Sequence, residues 1–277
     1  MQTDTETRSK ETSYLARPEG RVAYDIDGTG PLVVVVPGMG DLRTTYRFTV
    51  PALRAAGYRV AATDLRGHGD SDTTFATYGD VETSADVVAL IEDLGGPAVI
   101  VGNSMGAGAA VIAAAERPDL VSGLVLVGPF VRNGKTNAMK RLVMRLAMAP
   151  LWAPIVWKSY LPKLYAGRRP DDFNAYRDLV VANLRRPGHA RAFSRTTRTS
   201  HDPAEGRLKD VTQPTVVLMG DKDPDFPDQK AEAAWIAKAL HGEAVLVPEA
   251  GHYPQSQRPD ITNDAVLGFL TTVHDHA

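Results

Sequence analysis

The stretch Gly102-Asn103-Ser104-Met105-Gly106 has the residue types and spacing for chemistry. It fits G-x-S-x-G between an apolar run at 98–101 and a small-residue segment at 104–117, which read as strand and helix. A serine in a tight strand-to-helix turn pushes its hydroxyl into the open. The small neighbours Ala107 and Gly108 let the helix pack close behind it. The helix N-terminus also offers the Met105 amide to a developing oxyanion. The plainer reading is a turn serine that only caps a helix. A nucleophilic serine needs an adjacent base, because its hydroxyl is unreactive at neutral pH. The chain has seven histidines. His274 and His276 fall near the end of the chain, His241 ends a helix, and His189 and His201 lie in a basic segment. His68 sits within an arginine–glycine loop. His252, in Ala250-Gly251-His252-Tyr253-Pro254, directly follows the last strand and is the candidate base. Three aspartates follow the strand at 215–219, in Gly220-Asp221-Lys222-Asp223-Pro224-Asp225. Asp223 is the candidate orienting acid, with Asp225 in reserve.

The elements that must position these groups alternate. Strands are expected at 21–26, 32–36, 58–63, 98–101, 124–127, 215–219 and 244–247. Helices are expected at about 46–56, 80–94, 104–117, 229–240 and 260–272. The run Leu32-Val33-Val34-Val35-Val36 is apolar and β-branched almost throughout, as suits a strand buried on both faces. Strand–helix alternation implies βαβ units and a mostly parallel sheet, hence an α/β fold class. Reactive loops in such sheets lie at the carboxyl ends of the strands, where every candidate above falls. Residues 1–13 read as a flexible tail, and their polar, mixed-charge composition lacks the apolar stretch of a secretory signal.

Four motifs together resemble the α/β-hydrolase superfamily, specifically its lid-bearing, esterase- and lipase-like branch. They are VVPGMGD after the first buried strand, TDLRGHGDSD, VGNSMGAG, and the pair MGDKDPDFP with AGHYPQ. The resemblance covers essentially residues 14–273, and Ser-Asp-His is its order of triad residues. It implies a core at 14–130 and 209–277 with a helical lid inserted at 131–208. It also implies Ser104 as nucleophile, Asp223 as acid, His252 as base, and the backbone amides of Met39 and Met105 as oxyanion donors. His68, Gly67 and Gly69 match a loop that is structural in the superfamily. Two departures stand out. Pro37-Gly38 replaces a common His-Gly, and Tyr253 replaces the tryptophan that follows the histidine in carbon–carbon bond hydrolases. A serine at the elbow disfavours the aspartate-nucleophile dehalogenases and epoxide hydrolases. Cofactor-free peroxidase activity occurs in the superfamily, but no residue here argues for it.

The implied activity is cleavage of a carboxylic ester in a small-to-medium, largely apolar substrate through an acyl-enzyme. No cofactor and no metal are expected. The alternatives are a thioesterase, lactonase or carbon–carbon hydrolase with the same triad, or a slow or non-catalytic ligand receptor on the same scaffold. In the lid, Met139, Leu142, Val143 and Leu146 share one helical face opposite Lys140, Arg141 and Arg145. Tyr176, Leu179, Val180 and Leu184 form a second apolar stripe. Such stripes usually pack on each other and on the core. If they instead line a pocket, Met139, Trp152, Trp157 and Tyr253 are candidate substrate contacts.

Charge and composition bound the reading. Residues 131–208 hold 16 Lys/Arg against 5 Asp/Glu, while the remainder holds 15 against 28. The basic segment is either a solvated exterior or an attractor for an anion, such as a coenzyme A thioester, an acyl carrier protein or a substrate carboxylate. A net charge of −2 argues against nucleic-acid binding, and zero cysteines exclude disulfides and thiolate chemistry. No run of about 18 apolar residues is present, so no membrane span is expected. A cytoplasmic enzyme is the default, with its oligomeric state left open.

Overall fold

The structure is a computed structural model and describes residues 12–134 and 138–275. Eight strands form one sheet: β1 (Ser13–Arg17), β2 (Gly20–Asp27), β3 (Leu32–Val36), β4 (Arg59–Thr63), β5 (Ala98–Asn103), β6 (Val121–Val127), β7 (Thr215–Gly220) and β8 (Glu243–Val247). Their spatial order is β1-β2-β4-β3-β5-β6-β7-β8. The first two pairings, β1 with β2 and β2 with β4, are antiparallel, and all the others are parallel. The chain runs outward from β3 to β4 and then returns to the other side of β3 as β5. The order therefore reverses between β3 and β5, where an open α/β sheet leaves a crevice beyond its strand ends.

Strand periodicity explains the two cores. Successive side chains point to opposite faces, so a strand covered on both sides is apolar at every position. Val34, Val36, Ile100, Leu124, Leu126, Val217 and Met219 join one cluster; Val33, Val35, Val99, Val101, Val125, Val127 and Leu218 join the other. Helices α1 (Thr49–Ala55), α2 (Asp80–Asp93) and α3 (Met105–Glu116) connect the first strands. The small residues of α3 let it lie directly on the sheet: a Cβ on Gly106 would meet the Val36 and Pro37 carbonyls at 2.6 and 2.7 Å.

Between β6 and β7 the alternation breaks into an inserted helical region: α4 (Ala138–Ala147), α5 (Ala153–Leu164), α6 (Phe173–Leu184), α7 (His189–Thr196) and α8 (Asp202–Arg207). The chain then completes the core with α9 (Gln229–Ala239), α10 (Pro254–Gln257) and α11 (Pro259–Asp275). A third apolar cluster, including Leu42, Trp157, Leu161, Tyr165, Tyr176, Val180, Phe193 and Tyr253, seats the insertion on the sheet's loop end.

Three expectations differ from the structure. Residues 1–11 of the expected tail lie outside the described residues, and Ser13 is ordered as the first residue of β1. The face of α4 carrying Met139, Leu142, Val143 and Leu146 is not buried against the core, each of these residues being at least half exposed. In the second stripe Tyr176, Val180 and Leu184 are buried, whereas Leu179 is exposed.

Candidate active site

Five neighbouring parallel strands, β3, β5, β6, β7 and β8, deliver their carboxyl ends to one place. Ser104 follows β5 with φ 56° and ψ −121°, a positive-φ conformation that costs a serine on the order of 1–3 kcal/mol. The surrounding hydrogen bonds hold it there. Its amide donates to the Val127 carbonyl (2.9 Å), and its own carbonyl accepts from the Ala107 (3.0 Å) and Phe130 (3.3 Å) amides. The loop after β3 passes directly over the side chain, since a Cβ on Gly38 would stand 2.7 Å from Ser104 Cβ and 3.3 Å from its Oγ. Only glycine leaves room at that crossing.

Asp223 and His252 lie beyond the ends of β7 and β8. His252 Nδ1 donates to Asp223 Oδ2 at 2.7 Å, and both side chains are buried. Asp225 lies farther off, with Oδ2 3.8 Å from the same nitrogen. Its Oδ1 accepts from the Tyr160 hydroxyl (2.6 Å), while its amide donates to Asp223 Oδ1 (3.0 Å). Asp225 thus orients Asp223 and is held by the inserted helix α5. Gly128, beyond β6, rests against the pair: a Cβ there would lie 3.2 Å from His252 Nδ1 and 3.4 Å from Asp223 Oδ2.

Burial alone would push the His252 imidazole down. The charge and hydrogen bond of Asp223, aided by Asp225 and Asp41, override it and raise the group to about 9. The arrangement stabilises an imidazolium, the species a base becomes after taking a proton. Ligand atoms of Asp223, Asp225 and His252 also lie within 4.8 Å of one another, a spacing that could hold a cation. A cation there would have to displace the 2.7 Å hydrogen bond between Asp223 and His252.

Several positioning residues carried no signal of their own in the sequence. Asn103 Nδ2 donates to the Val127 carbonyl (3.0 Å) and to the His252 carbonyl (3.1 Å), tying the elbow to the histidine loop across 149 residues. Buried Gln257 accepts the Gly251 amide (2.9 Å) and donates to the Ala166 and Arg168 carbonyls (2.8 and 2.7 Å), which joins that loop to the insertion. His68, expected within a structural loop, has a definite contact. Its Nε2 accepts the Gly40 amide (3.0 Å), so the Nδ1–H faces the Arg66 carbonyl (3.0 Å). Burial lowers this imidazole to about 4, and the neutral ring can therefore serve as that acceptor. It fixes the loop carrying Met39, which is partly buried, opposite the fully buried Met105 at the start of α3.

Of the four residues expected as substrate contacts, two are near this cluster. Trp157 is buried and its indole N–H donates to the Gly40 carbonyl (2.8 Å). Tyr253 stacks on Tyr165 (4.7 Å) and stands edge-on to His252 (5.2 Å). Met139 and Trp152 face solvent instead, 67% and 42% exposed. Trp152 turns its indole N–H to the Leu146 carbonyl (2.6 Å) at the end of α4, which draws the ring away from the site. Phe130 completes the aromatic wall, 5.7 Å from the His252 ring and 5.0 Å from Phe226. Its ring is also 5.4 Å from His201, whose Nδ1 pairs with buried Asp80 (2.8 Å) and ties α8 to α2. Ser104 and His252 are only 6% and 3% exposed. Neither lines the open cleft beside Asp25 and Arg54 or the one beside Asp70 and Arg186. The insertion covers the site in this conformation.

The family model described as "Alpha/beta hydrolase family" matches residues 33–265. A 2-(acetamidomethylene)succinate hydrolase of Mesorhizobium japonicum is 28% identical over 264 residues, spanning 91% of this chain and 92% of that protein. A thermophilic esterase from Thermogutta terrifontis superposes with a TM-score of 0.77 at 23% identity, covering 95% of this chain and 99% of that one. A bromoperoxidase from Bacillus anthracis superposes with a TM-score of 0.80 at 20% identity, covering 95% and 100%. At these identities the two superpositions speak for the fold alone.

Proposed function

Because the chain belongs to the alpha/beta hydrolase family, we propose that this enzyme is a serine hydrolase that cleaves a carboxylic ester of a small-to-medium, largely apolar substrate. The observation that carries this reading is the buried 2.7 Å Asp223–His252 hydrogen bond, tied through Asn103 to the strained Ser104 turn.

In this reading Asp223 engages Nδ1, so the Nε2 nitrogen of His252 takes the Ser104 proton as Oγ bonds to the ester carbonyl carbon. The carbonyl π pair moves onto oxygen, and the resulting oxyanion accepts from the amides of Met39 and Met105. As the C–O bond to the alcohol breaks, the imidazolium returns its proton to the departing oxygen. Water then repeats the sequence against the acyl-serine: it gives His252 a proton, its oxygen bonds to the acyl carbon, and Ser104 leaves reprotonated. Trp157, Phe193, Phe130 and Phe226 give the surroundings an aromatic character, which favours apolar acyl or alcohol groups over polar ones. The shallow exposure of Ser104 requires the insertion to shift before substrate enters.

The test is turnover of p-nitrophenyl esters from acetate to decanoate by wild type and Ser104→Ala. Wild type should hydrolyse the series with a defined chain-length optimum, and Ser104→Ala should lose at least about 10³-fold in kcat with its fold unchanged. Comparable turnover by the variant would remove Ser104 from the reaction. Labelling of Ser104 by an acylating probe without ester turnover would move the substrate to a thioester, lactone or carbon–carbon bond.

A further inference from the structure

The inserted region has a surface that hydrolysis does not use. Of the twelve large apolar side chains exposed among the described residues, eight fall between positions 139 and 155. Met139, Leu142, Val143 and Leu146 recur at one helical face of α4, each between 51% and 67% exposed. Leu151 and Ile155 continue the patch into the turn before α5 and its first residues, 83% and 61% exposed. Trp152 stands at its edge, with its ring half in solvent and its N–H on the Leu146 carbonyl. Scattered exposed leucines are ordinary, but a contiguous patch of this kind marks a contact surface.

Charge identifies what covers it. Residues 131–170 contain nine Lys/Arg and no Asp or Glu, whereas the chain as a whole carries a slight acidic excess. The apolar stripe is therefore set in a forty-residue segment whose own charges are all positive, of which Arg132 and Lys158 pair with Glu232 and Asp178 outside it. A second copy meeting this face about a two-fold axis would bring two such segments together, which like-charge repulsion opposes. An anionic lipid surface matches both features, because acyl chains accept the stripe while phosphate headgroups accept the cations. A tryptophan at the patch edge suits the same boundary. No described helix is long and apolar enough to cross a bilayer, so the contact is a helix lying on the surface.

We propose that α4 and the turn into α5 form a docking face that seats the protein on an anionic bilayer. The face is connected to the reaction centre, because α5 begins in the patch and places Trp157 on the Gly40 carbonyl. Docking would bring the enzyme to substrates that partition into lipid.

The experiment is sedimentation of the full chain with vesicles of phosphatidylglycerol and phosphatidylcholine, and with pure phosphatidylcholine vesicles, at low and high salt. Wild type should bind the anionic vesicles at least tenfold more tightly than the neutral ones, and should be released at about 0.5 M salt, where the screening length is only a few ångströms. The double variant Val143→Glu/Leu146→Glu should lose at least tenfold in that binding while hydrolysing a soluble short-chain ester like wild type. Leu246→Glu, a charge change at an exposed β8 position, should leave vesicle binding unchanged. Equal wild-type binding to both vesicle types, or undiminished binding by a folded double variant, overturns the proposal. So does a wild-type dimer in analytical ultracentrifugation that the double variant abolishes without any vesicle binding, since a second copy would then cover the face.

Discussion

Two aspartates within reach of one histidine have unequal duties. Asp223 is fully buried and bonds His252 directly, whereas Asp225 sits 3.8 Å away and satisfies Tyr160. Asp223→Asn should therefore lower kcat by on the order of 10³–10⁴-fold, while Asp225→Asn should cost less than about tenfold. The pH profile separates their effects further. His252, held up at about 9 by these carboxylates, must lose its proton before it can act as a base. The kcat/KM of wild type should thus climb from neutral pH towards about 9, and Asp223→Asn should shift that climb to lower pH. A profile already flat at pH 7 in wild type would contradict the assigned electrostatics. Ser104, His252 and the pair of candidate aspartates were legible in the sequence because each sits in a short local motif. The choice between the aspartates was not, because it depends on which carboxylate the β7 and β8 ends bring to Nδ1. Asn103 and Gln257 gave no sign for the same reason: their partners are 149 and about 90 residues away.

At the scale of elements, the site depends on how closely the loop after β3 crosses the elbow after β5. Gly38→Ala tests that crossing, since its methyl would stand 2.7 Å from Ser104 Cβ. The variant should fold, because the clash is with one side chain at the rim of the sheet, yet lose at least about 10²-fold in kcat as the nucleophile or the Met39 amide is displaced. Wild-type kcat in a folded variant would show that the crossing does not govern the reaction. The buried strands were legible because runs such as Leu32–Val36 are apolar at every position, as a short strand covered by helices on both faces must be. The edge strand β1 was not, because its burial alternates about Leu15 alone while its sequence, Ser-Tyr-Leu-Ala-Arg, does not alternate apolar with polar. In α4 the periodicity was legible and its environment was not. An apolar stripe has the same sequence whether it covers a core, a pocket or another surface, and here it faces outward.

Over the whole molecule, two buried histidines titrate in opposite directions. His68 is lowered to about 4, so the unfolded chain, with its usual value near 6.5, binds a proton that the folded protein refuses. Stability should fall as pH drops from about 6.5 to 4. His252 is raised to about 9, and its contribution, complete below about 6.5, should be lost as pH rises through about 9. Buried Asp64, pushed up to about 6, works in the opposite direction below that pH, so the His68 effect is read by difference: in thermal unfolding from about pH 4 to just above 9, His68→Gln should lose less stability on the acid side than wild type. An unchanged acid limb in His68→Gln would assign that limb to other groups. The helical insertion is the other feature that acts at this scale. It is tied to the loop after β3 through Trp157 and to the histidine loop through Gln257, and it leaves the apolar face of α4 exposed.

The proposed activation of Ser104 as a nucleophile is the claim on which the rest depends, and the most direct measurement of it is covalent labelling by a fluorophosphonate followed by intact mass and peptide mapping. One adduct per chain is expected, located on Ser104, absent in Ser104→Ala and slowed at least about 10³-fold in His252→Ala. No adduct on wild type, or an adduct that persists in Ser104→Ala, would contradict that activation.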